Sequence, residues 1–113
     1  MGIKTTLIAG PSKFITPKNI KIKRIISTDE MLMEVKKTLP VDLAVCTAAV
    51  TDLKPFFRSK NKLKKNNLNF KSINFKKNYD ILEFISKNNK NRPNIVAGFS
   101  AETENVIENS FNK

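Results

Sequence analysis

Histidine is absent from these 113 residues, cysteine occurs once, at Cys46, and glycine three times, at Gly2, Gly10 and Gly98. Each shortage excludes a class of chemistry. Without histidine there is no Ser-His-Asp triad and no imidazole ligand for a metal. One cysteine makes neither a disulfide framework nor a thiolate zinc site. Cys46 closes an apolar run with no obvious base near it, so it reads as a buried structural thiol rather than a nucleophile. The three glycines build neither a P-loop nor a G-x-G-x-x-G cradle. No apolar run approaches the ~20 residues that span a bilayer. The N-terminus has no charged region followed by an apolar stretch and a cleavage site. The expectation is a cytoplasmic chain with no membrane partner, of a length for one small domain.

Acidic residues are the other shortage: 10 Asp and Glu stand against 21 Lys and Arg, a net charge of +11. Such a balance invites a nucleic-acid reading. The kind of base argues against it, because only Arg24, Arg58 and Arg92 are arginine. Arginine's planar fork is the group that reads phosphate and guanine bidentately. Lysine, asparagine and isoleucine are abundant together, which is the signature of a compositional bias. Position says more than the total. From Asp52 to Asp80 no acidic residue intervenes, and Lys54, Arg58, Lys60, Lys62, Lys64, Lys65, Lys71, Lys76 and Lys77 fall in that interval. This is either a solvated lysine-rich loop or a local site for a polyanion such as a triphosphate.

The pattern of apolar residues predicts alternating strands and helices. Lys4 to Ala9 reads as a short strand ended by Gly10-Pro11, and Asn19 to Ile26 as a second. Ser27 or Thr28 caps a helix that carries Asp29 and Glu30 in its first turn. Met31, Leu32, Val35 and Leu39 recur at helical spacing, and Pro40 stops the run. Asp42 to Thr47 and Asn94 to Phe99 are continuous apolar runs, the form of parallel strands buried on both faces. Ala48 to Lys65 has no period and reads as a long loop. Leu68, Phe70, Ile73 and Phe75 suggest an extended piece. Asn78 to Asn88 and Thr103 to Phe111 read as helices. The fold class that follows is α/β with a largely parallel sheet and flanking helices. In open sheets of that kind ligands bind beyond the carboxyl ends of the strands.

Four segments at strand ends carry candidate chemistry. Ala48-Ala49-Val50-Thr51-Asp52 offers small residues for close backbone approach and a carboxylate suited to a metal or a ribose, or it is a packing turn with a capping Asp. Lys62-Leu63-Lys64-Lys65 places ammonium groups where charge grows on a departing pyrophosphate, or it is a solvated face. Asn78-Tyr79-Asp80-Ile81-Leu82 opens a helix, whose free N–H groups attract anions; Asp80 would hold a divalent cation or simply cap. Gly98-Phe99 lets backbone approach closely and gives a ring that stacks on a base or joins the core.

In order, AAV-x-D-x-x-P (Ala48 to Pro55), K-x-K-K (Lys62 to Lys65), K-N-x-D-I-L (Lys77 to Leu82) and R-P-x-x-V-x-G-F-x-A-E-T (Arg92 to Thr103) resemble phosphopantothenate–cysteine ligase, or phosphopantothenoylcysteine synthetase. This is the ligase half of the bifunctional bacterial coenzyme A biosynthesis flavoprotein. Thr6 to Pro11 also looks like the family's second strand and turn, so the resemblance runs through the whole of residues 1–113. It implies a Rossmann-like α/β domain, incomplete relative to the family's. It implies CTP as the nucleotide, Mg2+ or a similar divalent cation, and phosphopantothenate and cysteine as substrates. The reaction it implies is ligation through an acyl-cytidylate, with Lys62 as the catalytic lysine. Ala48 and Ala49 would lie beside the cytosine. Asp52 would contact nucleotide and cation, with Asp80 as a second such contact. Tyr79, Asp80, Ile81 and Leu82 would line the nucleotide, Phe99 would lie against it, and Lys113 would be a further nucleotide contact.

Two departures stand out. Tyr79 occupies a position where the family usually has Pro. The family's first strand with its Gly-Gly-Thr turn, the Asn- and Arg-containing segment after it, and the strands after the last helix have no counterpart here. The expectation is therefore a middle portion of the ligase domain, inactive or very weak alone. It would act as a homodimer, or with the missing parts of the ligase or the flavin decarboxylase domain. The alternatives are a small basic nucleic-acid-binding module and a non-catalytic remnant.

Overall fold

The computed structural model describes residues 2–57, 73–87 and 90–99. The chain opens with β1 (Thr6–Ala9) and β2 (Lys21–Arg24), then α1 (Thr28–Thr38) and β3 (Leu43–Cys46). There follow β4 (Leu53–Pro55), β5 (Phe75–Lys77), α2 (Ile81–Lys87) and β6 (Ile95–Gly98). β1 pairs with β2 and β3 with β6, both parallel, as the alternation of strands and helices predicts; β4 and β5 pair antiparallel.

Local chemistry accounts for the helix ends. The Ser27 side chain accepts the Glu30 N–H at 3.2 Å, and Glu30 reaches back to accept the Ile26 N–H at 2.8 Å. The first bond satisfies a donor that a bare helix start leaves free, and the second fixes the residue that enters the cap. At the far end Leu39 leaves the helix just before Pro40. Asp80 caps α2 by accepting the Glu83 N–H at 2.9 Å. The Arg92 guanidinium donates to the Ser86 carbonyl at 2.7 Å and so satisfies an acceptor in the last turn of α2. That is the local work of the Arg92-Pro93 pair, whose proline is fully buried.

Met31, Leu32 and Val35 on α1, Ile81 and Ile85 on α2, and Ile25 form the core. Ile8, Ala44, Cys46 and Val96 pack against it from three of the strands. Each side chain of this size contributes roughly 1.5–3 kcal/mol when fully withdrawn from water. Both parallel pairs therefore share one helix-covered core.

Three expectations need correction. The runs at 42–47 and 94–99 are covered on one face only: Leu43 is 54% exposed and Val45 55%, and Ile95 is exposed as well. The helices lie over Ala44, Cys46 and Val96, while Leu43, Val45 and Ile95 on the opposite face stay more than half exposed. The loop from Ala48 to Lys65 contains a strand, Leu53–Pro55, which pairs with Phe75–Lys77. Its backbone groups gain partners from a segment distant in sequence, a pairing that local periodicity does not reveal. Phe99 is 71% exposed and does not join the core. Leu68, Phe70 and the helix predicted from Thr103 to Phe111 lie outside the described residues.

Candidate active site

The site is organised by a buried amide. Asn78 is 8% exposed, and each part of its side chain is engaged. Its Nδ2 donates to Thr28 Oγ1 and to the Thr51 carbonyl, both at 2.9 Å, and its Oδ1 accepts the Tyr79 N–H at 3.0 Å. Its backbone N–H donates to the Asp52 carbonyl at 2.7 Å. A buried amide with every group paired fixes geometry, because any displacement leaves polar groups unsatisfied. Asn78 thus ties the segment leaving β3 to the start of α2 and to the first turn of α1.

That tie brings three of the four sequence segments together at the carboxyl ends of β3 and β6. Asp80 lies close enough to Cys46, the last residue of β3, for its charge to act on the thiol. Burial first, and the Asp80 carboxylate second, push the Cys46 thiol above its ordinary value. Gly98 ends β6 against Leu82: a Cβ on Gly98 would stand 2.5 Å from Leu82 Cδ2. A side chain at Gly98 would displace the end of the Leu82 side chain, which packs over the strand backbone here. Ala48, Ala49, Asp52, Tyr79 and Asp80 are exposed, Ile81 is buried and Leu82 half-buried. Ile81 therefore acts through the core, anchoring the helix start rather than presenting its side chain outward.

Two clefts flank Asn78. One, of about 580 Å3, is lined by Lys77, Tyr79, Asp80, Glu83, Phe84 and Lys87 besides Asn78 itself. The other, of about 370 Å3, includes Thr28, Asp29, Thr51 and Lys54. The first is a shallow depression open to solvent and the second is more enclosed. Lys54, one of the basic residues of the acid-free interval, is half-buried beside the second cleft. Its Nζ pairs with Asp29 at 2.6 Å and lies 4.8 Å from the centroid of the Tyr79 ring. An ammonium over an aromatic face is attracted by the ring quadrupole, so Lys54 holds the Tyr79 ring in place. The sequence signal for it is its place in the segment from Ala48 to Pro55.

Asp52 and Asp80 are hard oxygen donors of the kind that suit Mg2+, which takes one or two carboxylates together with phosphate oxygens. One Asp80 oxygen is engaged in capping. Among the described residues there is no group of three or more acidic or cysteine side chains that could hold a metal by itself. Lys62 and Lys113 lie outside the described residues. Among the described residues no helix is long and apolar enough to cross a membrane.

Comparison with known proteins gives the family. The model of the DNA/pantothenate metabolism flavoprotein C-terminal domain matches residues 1–113. The chain belongs to this family. Relatives of this flavoprotein domain include the coenzyme A biosynthesis bifunctional protein CoaBC of Borreliella burgdorferi, 35% identical over 115 residues, covering 100% of the chain and 29% of that protein. The CoaBC of Haemophilus influenzae is 34% identical over 113 residues, covering 99% of the chain and 28% of its own length. That of Vibrio vulnificus is 35% identical over 108 residues, covering 94% and 27%. The chain therefore spans less than a third of the length of the curated relatives it matches.

Proposed function

We propose that this flavoprotein C-terminal domain chain is the nucleotide-handling part of a CTP-dependent phosphopantothenate–cysteine ligase acting in coenzyme A biosynthesis. The observation that carries this reading is the convergence of Ala48–Pro55, Lys77–Leu82 and Gly98-Phe99 around Asn78, at the end of the parallel strands where α/β folds bind ligands.

In the proposed reaction the phosphopantothenate carboxylate attacks the α-phosphorus of CTP. An acyl-cytidylate forms and pyrophosphate leaves. The cysteine amine then attacks the acyl carbon, forming the amide and releasing CMP. Lys62 neutralises charge that develops on the departing phosphates. Asp52 and Asp80 would hold a divalent cation, whose charge screens the triphosphate. Ala48 and Ala49 leave the backbone open to a flat ring, and the exposed Phe99 offers it an apolar face. The Tyr79–Leu82 backbone borders the nucleotide, and Lys113 supplies a further cation near it. Association with the remaining ligase segments, the flavin decarboxylase domain or a second copy belongs to the same reading. So does placement in the cytoplasm, where coenzyme A precursors are made.

The test is CTP-dependent pyrophosphate release with phosphopantothenate and cysteine, from the chain alone and with the rest of a CoaBC relative. Release only in the reconstituted mixture, lost in Lys62→Gln, supports the reading. Equal release by Lys62→Gln contradicts it.

A further inference from the structure

Lys54 carries a charge that is largely withdrawn from water. Its side chain is 20% exposed, whereas Lys23, Lys37 and Lys87, which also form ion pairs, stay far more open. An ammonium in that position needs close partners, because its lost hydration is otherwise uncompensated. Lys54 has two. Its Nζ meets the Asp29 carboxylate at 2.6 Å and stands 4.8 Å from the centroid of the Tyr79 ring. These residues come from separate places in the fold: Asp29 from the first turn of α1, Lys54 from β4, and Tyr79 from the segment that enters α2.

Burial does not account for the orientation of the ring, since Tyr79 remains 53% exposed. Its backbone is fixed separately, by the N–H that donates to Asn78 Oδ1 at 3.0 Å. Only the side-chain torsions are then left to set, and the ammonium over the ring face sets them. Asp29 and Lys54 line the more enclosed cleft, and Tyr79 lines the other, beside Asp80. We infer that Asp29 and Lys54 are positioning residues for the Tyr79 ring, which they hold as a wall of the ligand cleft next to Asp80. The carboxylate locates the ammonium, the ammonium orients the ring, and the ring borders the ligand. That the ligand is a nucleotide rests on the function proposed above; the brace itself does not. An ion pair with an exposed partner contributes little to stability, so what the brace governs is the geometry of binding.

The test has one arm without nucleotide and one with it. Tyr79 is the one tyrosine of a chain that has no tryptophan, so tyrosine fluorescence reports this ring alone. In the chain alone, the Lys54 ε-methylene protons resonate upfield of those of the other lysines, because they lie over the ring. The shift persists in Tyr79→Phe, vanishes in Tyr79→Leu and shrinks in Asp29→Asn, in which the anisotropy of the tyrosine emission also falls. In the second arm CTP and Mg2+ are titrated in the presence of the complementing CoaBC segment. Lys54→Met and Asp29→Asn weaken binding by about three- to tenfold, while Lys54→Arg, which keeps the cation, binds as the wild type does. Asp29 is exposed, so Asp29→Asn leaves the circular dichroism unchanged and carries the test even where Lys54→Met does not fold. The inference is overturned if the wild-type Lys54 signal sits with those of the other lysines, or if Asp29→Asn leaves both signal and anisotropy unchanged. It is overturned too if Asp29→Asn binds the nucleotide as tightly as the wild type. Absence of CTP binding in the wild-type mixture overturns the nucleotide reading instead, and the arm without nucleotide then decides the brace by itself.

Discussion

Asn78→Ala removes the amide that joins three segments of the site. Three side-chain hydrogen bonds are lost, to Thr28 Oγ1, the Thr51 carbonyl and the Tyr79 N–H. Neutral hydrogen bonds contribute about 1 kcal/mol each on balance, and a partner left buried and unpaired costs more. Thr28 can turn its hydroxyl to water, so the expected loss is about 2–4 kcal/mol. A domain of this length is stable by roughly 6–17 kcal/mol, so the loss is a sizeable fraction. It corresponds to a fall of about 8–17 °C in Tm. Urea unfolding followed by circular dichroism measures it. Asn78→Asp separates hydrogen bonding from packing. It keeps an acceptor for the Tyr79 N–H but sets a carboxylate against the Thr51 carbonyl. Burial there raises the folded-state pKa above the unfolded one. The variant therefore gains stability as pH falls toward about 4, when the protonated acid can donate. A loss below about 0.5 kcal/mol for Asn78→Ala, or no acid rescue of Asn78→Asp, would refute the role assigned to this residue.

Two further outcomes report on the same region. Gly98→Val forces branched carbon against Leu82, so it destabilises by about 1–3 kcal/mol and perturbs the start of α2. Leu82→Ala in the same chain recovers part of that loss, and absence of recovery in a double-mutant cycle counts against the contact. Cys46 reacts more slowly with a thiol-modifying reagent near pH 8 than free cysteine does, because its thiol is held protonated by burial and by Asp80. Asp80→Asn accelerates the reaction by removing the negative charge. A rate that is unaffected by Asp80→Asn contradicts the proximity of the two groups. The linkage has a definite sign. The folded thiol binds its proton more tightly than the unfolded one, so this contribution to stability is complete below the ordinary thiol pKa. It is lost as pH rises through the raised value.

What the residues announced in advance was whatever rests on local periodicity and capping. Met31, Leu32 and Val35 at helical spacing, bounded by Ser27 and Pro40, place α1 almost to the residue. The apolar runs Asp42 to Thr47 and Asn94 to Phe99 place β3 and β6. The extended piece through Phe75 was read, but its antiparallel pairing with Leu53–Pro55 escaped because Leu-Lys-Pro has no alternation of its own and exists through its partner. The exposure of Leu43 and Val45 escaped for a related reason, since a run of apolar residues specifies a strand without specifying what covers each face. Within the site, the Ala48–Asp52, Lys77–Leu82 and Gly98-Phe99 segments were visible as motifs. Their meeting point was not, because the Asn78 bonds to Thr28 and Thr51 join residues far apart in sequence. Lys54 was visible only as one of nine basic residues in the acid-free interval, and its pairing with Asp29 and its position over Tyr79 distinguish it.

The central claim is that residues converging on Asn78 handle CTP, and calorimetric titration of the chain with CTP and Mg2+, in the presence of the complementing CoaBC segment, tests it most directly. The account predicts saturable one-to-one binding, tighter for CTP than for ATP, and weakened about tenfold or more by Asp80→Asn, which removes one charged contact worth on the order of 1.5–3 kcal/mol. Binding that does not distinguish the two nucleotides, or is indifferent to Asp80→Asn, or does not occur, would contradict it.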